Sequence, residues 1–152
     1  MTIDERLFAF TNALQPVRRA WVQAARRELA ATGLSASLAS VVLLTSRLGP
    51  GVQQKTLALE IGVNPAALVR LLDQGEAAGL LIRSAIEGDR RCKAIDLLPE
   101  GKRRAEEMER SLAALRRDLL GDLPVEDVET ATRILRLLED RVASRAQGER
   151  AS

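Results

Sequence analysis

The chain has 152 residues, 46% of them hydrophobic but only 2% aromatic, with 23 Lys and Arg against 21 Asp and Glu and no His. That length suits one compact domain or a small domain with helical arms, with a core of Leu, Val, Ile and Ala. The lack of His removes the commonest general base and metal ligand, and the single Cys excludes an internal disulfide or a thiolate zinc site. No catalytic constellation, metal site, cofactor motif or glycine-rich phosphate loop is expected.

In chain order, Ile3–Leu14 has helical apolar spacing, Pro16 is expected to punctuate it, and Val17–Ala31 continues as helix to a C-cap at Thr32-Gly33. Ser35 or Ser37 then caps a helix carrying Leu38, Val41, Val42, Leu44 and Leu48, which stops at Gly49-Pro50-Gly51. The stretch Gln54–Leu72 is the most informative. It reads as two short helices joined at Gly62, with Leu57, Ile61, Val63, Leu68, Leu71 and Leu72 able to face inward. Gly62 tolerates a left-handed turn, and Asn64-Pro65 supplies an N-cap followed by a residue preset for the first helical position. This is the pattern of a helix-turn-helix, whose second helix would enter a DNA major groove.

After Gly79, Leu80–Ser84 and Cys92–Leu97 read as strands, and the intervening IEGDRR as a charged hairpin tip. Beyond the hairpin, Glu100–Leu120 is an amphipathic helix with Met108, Leu112, Leu115 and Leu119 on one side. GDLP breaks it, and a last helix runs from Val125 through Val142, with Ala143–Ser152 expected to fray. Net charge is only +2, so basicity must be local to matter. It gathers at Arg83, Arg90, Arg91, Lys93, Lys102, Arg103 and Arg104.

The helix, turn, helix and Arg-bearing hairpin, in this order, resemble the MarR (multiple antibiotic resistance regulator) family of bacterial transcription factors. The residues that carry the resemblance are Gln54, Leu57-Ala58, Gly62, Leu68–Asp73, Glu76, Gly79-Leu80, Asp89, Arg91, Leu97 or Leu98, and Gly101. The likeness implies a mainly α fold with a small β-hairpin wing. Residues 33–101 would form the winged helix-turn-helix, with helices in 1–32 and 102–152 pairing two copies. It further implies a cytoplasmic regulator, usually a repressor, that binds double-stranded DNA as a homodimer and is released by a small aromatic or phenolic ligand.

At the DNA, Arg70 is the candidate for direct base readout, Asn64 and Gln54 for phosphate contacts, and Ala66 and Ala67 for apolar contact such as a thymine methyl. Relatives often carry Ser or Thr near the two alanines and a large apolar residue at Gly75. In the wing, the resemblance assigns Arg91 to the minor groove with Asp89 holding its side chain, while Arg90 and Lys93 would meet phosphates; an Asp89–Arg91 pair that merely stiffens the hairpin fits the same residues. The ligand would lie near Arg18, Arg19, Trp21 and Val22. The apolar stripes of the terminal helices suit a symmetric dimer on a pseudo-palindromic site.

Two other functions fit the same residues. One is a winged-helix module that binds protein. The other is a DNA-binding regulator without a ligand, either constitutive or redox-controlled through Cys92, whose pKa Arg91 and Lys93 would lower. No apolar run is long enough to span a membrane.

Overall fold

A computed structural model describes residues 1–150. Its elements are α1 (Ile3–Ala30), α2 (Ala36–Leu48), β1 (Val52–Gln53), α3 (Gln54–Ile61), α4 (Pro65–Ala77), β2 (Leu81–Ile86), β3 (Asp89–Leu97), α5 (Pro99–Leu120) and α6 (Val125–Arg150). The chain divides into two compact units, Met1–Leu115 and Arg116–Ser152. The fold is mainly α with a small antiparallel sheet, as the sequence implies. No described helix is long and apolar enough to cross a membrane.

Helix α1 departs from the sequence expectation, because Pro16 neither punctuates nor ends it. A proline inside a helix forfeits one backbone hydrogen bond, here to the Asn12 carbonyl, and many helix-forming neighbours on both sides carry the helix through it. A capping box starts the helix: Thr2 Oγ1 accepts from the Glu5 N–H at 3.2 Å, and the Glu5 carboxylate accepts from the Thr2 N–H at 2.6 Å. Ser35, rather than Ser37, caps α2 by accepting from the Leu38 N–H.

Two buried clusters organise the first unit. One joins Leu29 of α1, Leu38, Ala39, Val42 and Leu43 of α2, Leu80, and Ala105, Met108 and Leu112 of α5. The other joins Val41 of α2 to Leu57 and Ala58 of α3, Leu68 and Leu72 of α4, Leu81 of β2 and Ile95 of β3. Successive residues of α2 therefore serve both clusters, and this helix is the scaffold on which the helix-turn-helix sits. At the other end of α2, Arg47 forms a two-pronged ion pair with Glu109 of α5, at 2.6 and 3.1 Å.

Two glycines permit close approaches. A Cβ on Gly101 would lie 1.9 Å from the Leu80 carbonyl oxygen, so α5 can start against the turn between α4 and β2 only with glycine there. A Cβ on Gly75 would meet Leu81 Cδ2 at 2.7 Å. Gly75 thus admits the buried Leu81 side chain against α4, which accounts for a small residue in mid-helix despite its cost of roughly 1 kcal/mol in propensity.

The sheet has the order β1-β3-β2, all antiparallel. β1 pairs Val52 with Ile95 and Gln53 with Ala94. The hairpin strands run further than expected, since Asp89–Arg91 belong to β3 and the turn narrows to Glu87-Gly88. The register steps from Ala85↔Lys93 to Ile86↔Asp89. Arg90, Arg91 and Cys92 are consequently bulged out of the ladder.

In the second unit, α6 remains helical to Arg150, beyond the fraying expected from Ala143 onward. Arg145 and Glu149, one turn apart, form an ion pair in that stretch. Ala151 and Ser152, the end of the segment expected to fray, lie outside the described residues. No residue of α6 is buried.

Candidate nucleic-acid interface

The helix-turn-helix forms for local reasons. Gly62 takes a left-handed conformation (φ 77°, ψ 32°), and its N–H and that of Val63 both donate to the Ala58 carbonyl, closing α3. Asn64 Oδ1 accepts from the Ala67 N–H at 2.8 Å, and Pro65 occupies the first helical position of α4. Leu68 and Leu72 point inward and are fully buried. The opposite face of α4 presents Pro65, Ala66, Val69, Arg70, Asp73 and Gln74 to solvent.

The wing is fastened to this helix by one arginine. Arg83 of β2 donates through Nη2 to Asp73 Oδ1 at 2.5 Å and to Glu76 Oε2 at 2.8 Å, while its main-chain N–H donates to Glu76 Oε1 at 2.9 Å. The two bonds from Arg83 hold the Glu76 carboxyl down at about 2, and its carboxylate partners raise the Arg83 guanidinium above its usual range. Arg83 is therefore a structural clamp rather than a free cation of the wing. Asp73, turned towards it, makes no pair with Arg70, and among the described residues no hydrogen bond or ion pair restrains the Arg70 guanidinium.

Asp89 acts differently from the sequence expectation. Its Oδ1 accepts from the main-chain N–H of Arg91 at 3.0 Å, and its Oδ2 accepts from the Cys92 thiol at 3.3 Å. The carboxylate organises the bulged backbone under Arg91, not the Arg91 side chain. The bonds from the Arg91 N–H and the Cys92 thiol lower the Asp89 carboxyl pKa, and Asp89 in return raises that of the Cys92 thiol, with Lys55 a smaller opposing influence. This reverses the expectation that flanking cations would lower it, because a bonded carboxylate outweighs charges one residue away.

Of the residues expected to face DNA, Gln54, Arg91 and Lys93 line two grooves, and Asn64, Ala66, Ala67, Arg70, Asp89 and Arg90 line neither. One, of about 500 Å³, has an apolar floor of Ala58, Leu59, Val63, Pro65 and Leu68 and includes Gln54, Arg91, Cys92, Lys93 and Lys55. The other, between α4 and the wing, joins Gln54, Val69, Glu76, Arg83 and Lys93. Gln54 and Lys93 line both. Ala66 and Arg70 lie on the exposed face of α4, Ala67 is half-buried at its start, and Arg90 is exposed on the bulge. Lys55, Leu59 and the Arg83 clamp were not singled out from sequence. The Asp73 and Glu76 spacing, one turn apart on one helix face, was the available signal for the clamp. Arg18, Arg19, Trp21 and Val22 are exposed on α1 and line neither groove.

No family model matches the chain. Solved structures do. Transcriptional regulator PA3341 is 30% identical over 89% of this chain and 98% of its own, with a TM-score of 0.79. A MarR family transcriptional regulator from Rhodococcus sp. RHA1 is 25% identical, covering 91% of this chain and 95% of that one, with a TM-score of 0.72. The chain belongs to the MarR family of transcriptional regulators. CouR from Rhodococcus jostii RHA1, solved bound to p-coumaroyl-CoA, is 28% identical over 83% of this chain and 88% of its own, with a TM-score of 0.69. In this MarR-family regulator, α3 and α4 are the helix-turn-helix and β2–β3 the wing.

Proposed function

We propose that this MarR-family regulator is a homodimeric, sequence-specific binder of double-stranded DNA that represses transcription and is released by a small aromatic or anionic ligand. The observation that carries the DNA reading is the pairing of an exposed α4 face with a wing whose Arg91 is held on a bulge by Asp89. Arg70, with no competing partner, reads a base edge. Arg91 enters the minor groove, and Gln54, Arg90 and Lys93 neutralise phosphates. The Asn64 side chain caps α4, so its part in phosphate contact is to aim the helix N-terminus.

Dimerisation is supported by apolar residues left open on both terminal helices: Ile3, Leu7 and Phe8 on α1, and Ile134, Leu135, Leu137 and Val142 on α6. A two-fold pair of α4 helices reads a pseudo-palindrome. The ligand proposal rests on Trp21 and Val22, open on α1 beside Arg18 and Arg19, and on the aromatic thioester held by CouR. An aromatic ring stacks on Trp21 while an anionic group pairs with either arginine. The raised Cys92 thiol weighs against redox control.

The test is selection of bound duplexes from a random pool, a salt series on the winner, and challenge of the complex with aromatic acids and their thioesters. Steep weakening with salt and release by a panel member are expected. Salt-insensitive binding would make the winged face a protein-docking module, and a panel without effect would leave a regulator that lacks this ligand.

A further inference from the structure

The side of α4 offered to DNA is poor in hydrogen-bonding groups. Its leading residues are Pro65, Ala66 and Val69, and Val69 is 38% exposed. These three lie on one helix face, since position 69 follows 65 and 66 at the i+4 and i+3 spacings. Of the polar groups nearby, Asn64 Oδ1 is committed to the Ala67 N–H and Asp73 to Arg83, which leaves Arg70 and Gln74 open further along the helix. On α3, Leu59 is 75% exposed and shares a groove with Pro65. Cations flank this groove in the form of Lys55, Arg91 and Lys93. The arrangement is an apolar centre inside a basic rim.

Phosphates satisfy the rim. In a major groove, the bulky apolar feature that matches such side chains is the C5-methyl of thymine, whereas the N7, O6, O4, N4 and N6 groups there donate or accept hydrogen bonds and lose water without compensation against Ala or Val. We propose that the regulator recognises its operator through thymine methyl groups, packed against Val69, Ala66 and Pro65, with Arg70 supplying the polar base contact. The proposal rests on the double-stranded DNA reading above and names the chemistry by which that surface selects a sequence.

The experiment uses the full chain and the duplex enriched from a random pool. Each thymine is replaced in turn, and then all together, by deoxyuridine, which removes the methyl and leaves base pairing intact. Each contacted methyl should cost about fourfold in affinity. Replacement throughout should cost at least about tenfold, and thymines outside the footprint should cost nothing. Val69→Ala, a surface change that spares the core, should bring the thymine-to-deoxyuridine ratio close to one at one position in each half-site.

Full replacement that changes affinity less than about twofold, while the selected duplex is still preferred over random duplex, would overturn the proposal. So would a penalty that persists undiminished in both Val69→Ala and Ala66→Gly, because the methyl would then act through duplex shape. Failure to bind any duplex removes the DNA reading itself, an outcome distinct from both.

Discussion

Helices α4 and α6 are both amphipathic, yet they end in opposite states. α4 buries Leu68 and Leu72 completely against α2, α3 and the sheet. In α6, Ile134, Leu135, Leu137 and Val142 each keep at least 40% of their surface exposed, and no residue is buried. Similar apolar spacing thus serves two ends. In the winged unit it closes a core within one chain, and in the C-terminal unit it leaves a surface that a second copy can cover.

The largest effect should come from the closed side of this comparison. Leu72→Ala removes a fully buried side chain and is expected to cost about 2–5 kcal/mol in chemical denaturation, at any protein concentration. Leu135→Ala on α6 should act differently, lowering the melting temperature most at low concentration and shifting sedimentation towards monomer. A Leu135→Ala loss that is the same at every concentration would mean that α6 finds its partner within its own chain.

Gly101→Ala comes next. The added methyl runs into the Leu80 carbonyl, so about 1–3 kcal/mol should be lost, or more if α5 cannot shift. Asn64→Ala removes the cap of α4 and should cost about 1 kcal/mol, with a matching loss of DNA affinity if the helix start frays.

An effect of the same size is expected at the clamp. Arg83→Ala should cost about 1 kcal/mol rather than the several expected of a fully buried pair, because Asp73 and Glu76 are partly solvated. Since the Glu76 carboxyl titrates lower in the folded chain than its usual 4.5, its contribution is complete above about pH 4.5 and fades as pH falls towards about 2. Glu76→Gln should flatten that part of a stability-versus-pH curve measured by denaturation.

What was legible in the sequence was local. Gly62, Asn64-Pro65 and the apolar spacing of Gln54–Leu72 act within a few residues, and each took the conformation its chemistry favours. What was hidden depended on partners distant in sequence or on balance along a long element. Pro16 signals a break, but the cost of one missing bond is spread over a 28-residue helix. Arg83 reads as one more wing cation until Asp73 and Glu76 are brought beside it. The roles of Asp89 and Cys92 turned on a bulge whose register no periodicity records. Gly75 is costly by helix propensity, and its reason is Leu81, seated against it from the next strand.

The Arg83 clamp has a consequence for control. With Glu76 holding both the backbone and the side chain of the first wing strand, and Leu81 seated over Gly75, helix and wing form one stiff reading head. A stiff head leaves a signal little to gain by bending it. In the proposed dimer, a signal would then act on the distance and tilt between two intact heads rather than within either one.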